Sequence, residues 1–417
     1  MSLNDAKITS TTYCVNLFYQ LGTKVDGSFR PCCNYSGPIM DKDGQPVHAS
    51  THSIQEYFNS EGMKALQNKS LNSEKVPGCE SCYHYEANTG QSKRVRDNIK
   101  FQEATANENP SEGGKIKILD LRMGNLCNLG CVSCQPLLSS KLEKLWGEHG
   151  ADKFSDKSVA AQIPAKHRSW YKSSQFVDEI GENSHGIVSL ALVGGEPLIN
   201  PYNIALLKKL SHLGKKLKLS VTSNIFSVPE DVLELLKVFN TTIDCSLDGI
   251  GPMIEYIRYP VKFDDVVNNY KRICEVGIST RIICTISVLN LFHIAESYEF
   301  YHQLNKNFGR KLKMSVGNLV LKPEHLAIRH LPEAYKQRAI QQLTDFYGTL
   351  SRDHHEDTIR GSTRNLISYL QNSKGDIKKI RDKWKFIENY DQIRGNSWQK
   401  VAPHLQGILD AQPELSI

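Results

Sequence analysis

Across residues 111–325, short β-rich runs alternate with helical runs, and no other feature constrains the fold as strongly. The candidate strands are KIKILDLRM (115–123), GIVSLALVG (186–194), KLKLSVTSN (216–224), TTIDCSLDG (241–249), TRIICTISV (280–288) and KLKMSVGNLVL (311–321). Helical patterns fall near 137–148, 201–213, 229–238, 263–276 and 291–306. Strands alternating with helices need crossover connections, which run right-handed and build a parallel sheet. Six such units predict an α/β fold, either a partial (βα)6 barrel or a doubly wound sheet. In both, the chemistry belongs at the C-terminal ends of the strands. Residues 1–110 are irregular and rich in Gly, Asn, Ser and Cys, and residues 326–417 are mostly helical and polar. The stretch from about 150 to 180 reads as an insertion between the first helix and the second strand. A chain of 417 residues exceeds one compact core. The expected domains are therefore 1–110, 111–325 and 326–417.

The net charge of +6 is mild and its basic residues are dispersed, so nucleic acid is not indicated. No stretch approaches the roughly 20 apolar residues of a membrane helix. The first residues, MSLNDAKITSTTYC, lack a secretory apolar core. The expectation is a soluble cytoplasmic protein. Eleven cysteines are many for such a chain, and eight fall in its first third. Clustered cysteines without a secretory signal point to metal or cluster ligation rather than a disulfide framework. Cys245, Cys274 and Cys284 instead sit singly in apolar runs and read as core.

Directly after the first strand the sequence reads GNLCNLGCVSCQP, a Cys127-x3-Cys131-x2-Cys134 spacing. Three thiolates on one short loop hold three corners of a four-iron cubane, and the fourth iron stays open to a small chelating molecule. A zinc site is the alternative, but zinc normally takes four ligands, and Cys79-x2-Cys82 lies far from this loop.

The CxxxCxxC loop resembles that of the radical S-adenosylmethionine (SAM) superfamily, and further motifs follow in order on later strands. Gly194-Gly195-Glu196-Pro197 is similar to the family's GGEP turn, which binds the SAM amine. Ser223-Asn224 ends the third strand, and Ser246-Leu247-Asp248-Gly249 resembles the SxDG sequence whose serine meets the ribose. By the same resemblance, Arg258 meets the SAM carboxylate, Ser287 and Asn290 line the pocket, and backbone near Gly317–Val320 contacts adenine. A helix-capping role for Asn290 is the alternative. The residue chemistry agrees, since glycines permit close backbone approach, a carboxylate suits an ammonium and a guanidinium suits a carboxylate. Ser133 stands where many members carry an aromatic residue. The resemblance implies a [4Fe-4S] cluster, SAM, a 5′-deoxyadenosyl radical that abstracts hydrogen, and an external electron donor such as a flavodoxin or ferredoxin.

A second group comprises Cys14, Cys32, Cys33, Cys79 and Cys82. Its G-x4-C element (Gly27 to Cys32) and GCESCYHYEANTGQSKR resemble the twitch and SPASM accessory domains, here placed before the barrel rather than after it. That resemblance implies a second, auxiliary [4Fe-4S] cluster on Cys14, Cys32, Cys79 and Cys82, with Cys33 as an alternative to Cys32 and a structural zinc as an alternative to the cluster. Glu86, Gly90, Ser92 and Arg94 belong to the same motif; without the resemblance, Lys93, Arg94 and Arg96 read as a solvated face. His354-His355 reads as surface, and Tyr256 and Tyr259 flank Arg258 as candidate substrate-facing residues. The functional expectation is radical modification of a peptide or protein. Oxidation or rearrangement of a small molecule, such as a sugar or nucleotide precursor, is the alternative. A non-catalytic zinc-binding interaction protein is the contrasting class.

Overall fold

The computed structural model describes residues 10–109, 115–155, 169–351 and 357–410. Part of the expected insertion at about 150–180, and His354-His355, lie outside them. The chain forms two compact units, whose boundaries run through the strand–helix region rather than at 110 and 325.

The first unit comprises the described residues of Met1–Leu126, Gln162–Thr222 and Glu230–Thr241. Its strands are β1 (Gln20–Thr23), β2 (Phe29–Arg30), β3 (Ile118–Leu121), β4 (Ser189–Leu192) and β5 (Lys218–Ser223), in the order β2-β1-β3-β4-β5. β1 pairs antiparallel with β2, while β1–β3, β3–β4 and β4–β5 are parallel. β3, ILDL, is buried at all four residues, as expected of a parallel strand covered on both faces. The sequence pattern missed β1 and β2, because QLGT is interrupted by a glycine and FR is only two residues long. The N-terminal region is also more helical than its composition suggested, with helices at Ile54–Asn59, Glu61–Leu71, Glu80–Thr89 and Lys93–Lys100. Ser53 and Glu56 form a capping box that starts the first of these.

The second unit comprises the described residues of Cys127–Ala161, Ser223–Pro229 and Thr242–Ile417. It holds β6 (Asn240–Ser246), β7 (Ser279–Ile286) and β8 (Met314–Leu319), with β6–β7 and β7–β8 parallel. Helix Phe263–Glu275 shows why these segments fold as they do. Asp264 and Asp265 stand in its first turn, where the helix dipole favours negative charge, and Val266, Tyr270, Ile273 and Cys274 form its buried stripe. Cys245, Cys274 and Cys284 are core residues, as expected. Helix Asp357–Asn372 attaches to β8, where the Ser362 hydroxyl accepts from the Val316 amide at 3.1 Å.

Each of β3 to β8 is followed by helix, so the six α/β units of the expected partial (βα)6 barrel are present in order. The C-terminal region is helical as predicted, with Glu333–Thr349, Asp357–Asn372 and Lys385–Arg394 its longest helices among the described residues.

Candidate functional site

The cysteine loop leaves β3 and is pinned from several sides. Ser139 and Ser140, at the start of helix Ser140–His149, hold it from below. The Ser139 hydroxyl donates to the Leu129 carbonyl at 2.6 Å and accepts from the Leu142 amide, so one side chain caps the helix and ties it to the loop. The Cys127 amide donates to the Ser140 hydroxyl at 3.1 Å. On the other side, the Gly130 and Val132 amides donate to the carbonyls of Tyr259 and Ile257, at 2.8 and 2.9 Å. Leu129 and Val132 are buried anchors, and the three cysteines on either side of and between them remain partly accessible.

The three thiols converge electrostatically. Burial pushes the Cys134 thiol up to about 12, and Cys131 and Cys127 add to the shift. Burial also raises Cys131, against the lowering influence of Arg258 and Arg394. The Nε of Arg258, and the Nε and Nη1 of Arg394, are shut off from solvent without hydrogen-bond partners. Three thiols on one rigid loop, faced by guanidiniums with spare donors, fit an anionic iron–thiolate cluster.

In the first unit, the GGEP turn folds directly onto the residues leading into this loop. The Glu196 amide donates to the Leu126 carbonyl at 2.7 Å. Gly195 has φ +54°, and a Cβ there would overlap the same carbonyl oxygen. Close approach and left-handed backbone therefore both demand glycine. The Glu196 carboxylate is buried, and its Oε1 accepts from the Leu198 amide at 3.1 Å. Asn200, which the motif reading passed over, donates to the Met123 carbonyl at 2.6 Å.

Within the second unit, Asn224 shapes the turn after β5 by accepting from the Phe226 amide at 2.9 Å and reaches the cysteine loop by donating to Asn128 Oδ1 at 2.9 Å. Ser223 accepts from the Ile225 amide at 2.9 Å. Ser246 is half-buried at the end of β6. Asp248 is fully buried; its Oδ2 lies 2.7 Å from Arg258 Nη2, and its Oδ1 accepts from the Thr285 amide at 2.7 Å. The Arg258 guanidinium, expected at the SAM carboxylate, thus rests on Asp248 and is charge-balanced. Asn290 donates to the carbonyls of Asp248 (2.8 Å) and Thr285 (3.0 Å) and accepts from the Ser287 amide (2.8 Å). It stitches the ends of β6 and β7 together, and its side chain makes no helix-capping bond. Tyr256 donates to Asp391 at 2.7 Å. Gly317 is exposed in β8, and the Val320 amide donates to the Ile286 carbonyl at 2.9 Å. A groove of ≈ 690 Å³ between helices Ile294–Lys306 and Glu333–Thr349 contains none of the sequence-assigned residues.

The auxiliary cysteines gather in the first unit. Cys14, buried and raised mainly by that burial, has Cys32, Cys79 and Cys82 as electrostatic neighbours. Cys79, pushed up to about 12 by burial first, has Cys32 and Cys82. Cys33 is exposed, its Sγ donates to Asn34 Oδ1 at 3.6 Å, and its electrostatic neighbours include Lys93, Asp120, Arg30 and Asp97. Glu86 and Arg94 brace the segments that carry these thiols. Arg94 Nε donates to Glu86 Oε1 at 3.0 Å, and its Nη1 donates to the carbonyls of Thr11 and Tyr13 at 3.0 and 2.9 Å, just ahead of Cys14. The Ser92 hydroxyl donates to the same Glu86 oxygen at 2.5 Å, and Gly90 closes helix Glu80–Thr89 in a left-handed conformation. The solvated-face reading of Arg94 is therefore wrong, since Arg94 is buried, whereas Arg96 is exposed. Among the described residues, no three Cys, His, Asp or Glu side chains are gathered tightly enough to hold a single metal ion. A lone zinc needs all its sulfurs within about 2.3 Å of one point, whereas each thiolate of a cubane takes a separate iron.

Comparison with known proteins places the central segment. Residues 121–301 match the radical SAM superfamily. That superfamily implies an enzyme with a four-iron cluster and SAM, and the matched span runs from the end of β3 into the helix after β7. Among curated proteins, GTP 3′,8-cyclases of Haemophilus influenzae strains are similar, at 30% identity over 107 residues for strain Rd and 29% for strain PittGG. These matches cover 25% of this chain, which spans about a third (32%) of the relatives' length. Among solved structures, anSMEcpe with bound AdoMet aligns at 17% identity and TM-score 0.38, over 57% of this chain and 60% of that one. Streptococcus suis SuiB bound to precursor peptide SuiA aligns at 15% and 0.36, over 95% and 92%. Likeness at that level identifies no substrate.

Proposed function

We propose that the chain is a radical SAM enzyme, and the observation that carries this reading is the pinned Cys127–Cys131–Cys134 loop inside the matched span. When bound, the cluster and SAM supply reductive homolysis of a sulfonium to a carbon radical able to abstract hydrogen. The protein's own residues hold and orient. Cys127, Cys131 and Cys134 supply the three thiolates, and Ser139, Ser140 and Asn128 fix their loop. Glu196 would accept the SAM ammonium, Ser246 would meet the ribose, and Arg258, charge-balanced by Asp248, would donate to the carboxylate from its unpartnered Nε. Gly194, Gly195, Ser223, Asn224, Ser287 and Asn290 shape the turns that position these groups. Cys14, Cys32, Cys79 and Cys82 hold an auxiliary cluster, a twitch- or SPASM-type site placed N-terminal to the barrel. Electrons come from an external one-electron donor of the flavodoxin or ferredoxin kind. Among the described residues no helix is long and apolar enough to cross a membrane. Clustered free thiols suit a reducing compartment, and we place the protein in the cytoplasm.

The leading substrate class is a peptide or protein, supported by the accessory cysteines. A second reading, a nucleotide substrate, is favoured by the partial similarity to GTP 3′,8-cyclase. Reduced enzyme with SAM is given, in separate reactions, GTP and the peptide and small-molecule fractions of a cell extract, and 5′-deoxyadenosine release is followed. Acceleration by the peptide fraction alone supports the leading reading. Acceleration by GTP or the small-molecule fraction alone replaces it with the second.

A further inference from the structure

Arg394 is the last residue of helix Lys385–Arg394, which Gly395 closes with φ +62°. It lies far along the chain from the cysteine loop, yet its Nη2 donates to the carbonyl of Gly130, the residue immediately before Cys131. The Gly130 amide is already held by the Tyr259 carbonyl at 2.8 Å, so both backbone groups of Gly130 are fixed. The guanidinium carbon lies 5.0 Å from the Tyr259 ring centroid and 4.2 Å from that of Tyr390. Trp146 steadies the second ring by donating to the Tyr390 hydroxyl at 2.9 Å. Two aromatic faces and one carbonyl therefore set the position of this cation.

Its charge is unbalanced. The nearby carboxylate, Asp391, accepts from the Tyr256 hydroxyl at 2.7 Å and the Trp398 amide at 2.8 Å, and no ion pair joins it to Arg394 among the described residues. Arg394 Nε and Nη1 are closed to solvent with no partner. Arg258, also beside Cys131, differs because Asp248 neutralises it. A guanidinium does not shed its proton in a protein, and a buried charge without a counter-charge is strongly disfavoured. Neutral thiols cannot supply the counter-charge, but thiolates bound to iron can.

We propose that Arg394 is the positioning and charge-compensating residue of the cluster carried by Cys127, Cys131 and Cys134, and that it favours the cluster's reduced form. The inference rests on the radical SAM reading above. One electron from an external donor adds one negative charge to the cluster and breaks no bond. A fixed cation beside Cys131 stabilises that added charge, because cluster potentials follow local charge and hydrogen bonding. This assigns the C-terminal helical region a part in setting the redox poise.

The test uses anaerobically reconstituted full-length wild type, Arg394→Gln and Arg394→Lys. Iron content is measured, and a redox titration follows the electron paramagnetic resonance of the reduced cluster. The relevant signal is the one lost in the Cys127→Ala, Cys131→Ala, Cys134→Ala variant. Arg394→Gln is expected to keep its iron and to disfavour reduction at least tenfold, a potential about 59 mV lower for one electron. Arg394→Lys is expected to restore most of that shift. An unchanged potential in Arg394→Gln with full iron overturns the proposal. If Arg394→Gln folds by circular dichroism but holds no iron, Arg394→Lys decides. Restored iron and potential support the charge role, and failure to restore them overturns it. A wild-type chain without a four-iron cluster refutes the radical SAM reading itself, a separate outcome.

Discussion

Replacing Asp248 with Asn removes the charge that balances Arg258 and little else. The two side chains meet at 2.7 Å, with 1% of the Asp248 side chain and 12% of the Arg258 side chain exposed. Removing one partner of a buried pair leaves the other charge uncompensated and costs about 3–5 kcal/mol. Asn retains an oxygen for the Thr285 amide, which Asp248 Oδ1 accepts at 2.7 Å, so about 3 kcal/mol, the lower end, is expected. Arg258→Met alone strands the carboxylate and carries a similar cost. The double variant Asp248→Asn, Arg258→Met strands neither charge, and it should lose at least about 1 kcal/mol less than the sum of the singles. Urea unfolding of the three variants and wild type, followed by circular dichroism, gives each free energy from its midpoint and slope. Costs that simply add, or an Asp248→Asn cost under about 1 kcal/mol, refute the reasoning, because the pair would then be solvated rather than buried.

Further outcomes follow from the site. Reconstituted wild type should carry roughly eight irons per chain as two cubanes, and the Cys127→Ala, Cys131→Ala, Cys134→Ala variant about half of that; iron and sulfide assays check both. Cys32→Ala should lose the auxiliary iron while Cys33→Ala keeps it, because only Cys32 neighbours Cys14 and Cys79; equal losses would contradict the grouping. Glu196→Ala should weaken SAM binding in equilibrium dialysis with iron content unchanged, and SAM affinity equal to wild type would remove Glu196 from the site. Cys79→Ala with Cys82→Ala should spare SAM cleavage without substrate while abolishing substrate product, and loss of both activities would show that the two sites are not separable.

The strand–helix order was legible because each of the six strands lies within a longer run rich in β-branched residues or leucine, and Gly194-Gly195 declared a turn that only glycine can make. Contacts over long sequence distances were not legible. Arg394 is 264 positions from Gly130, and nothing in the local pattern QIRGNSW distinguishes it from a surface cation at a helix end. Adjacent Cys32 and Cys33 are equivalent in sequence, and only the fold separates them, burying Cys32 and leaving Cys33 exposed. Asp248 and Asn290 match ligand-contact motifs, yet Asp248 spends its carboxylate on Arg258 and the Thr285 amide, and Asn290 spends its side-chain amide on the ends of β6 and β7. A motif identifies the residue but not which of its bonds are already satisfied.

The central claim is that this chain cleaves SAM through the cluster on its Cys127–Cys131–Cys134 loop. The direct measurement is 5′-deoxyadenosine, quantified by mass spectrometry after reduced, reconstituted protein is incubated anaerobically with SAM. The account predicts slow release from wild type and none from the Cys127→Ala, Cys131→Ala, Cys134→Ala variant. Wild-type protein that holds its iron and binds SAM yet releases no 5′-deoxyadenosine would contradict it, as would equal release from the triple variant.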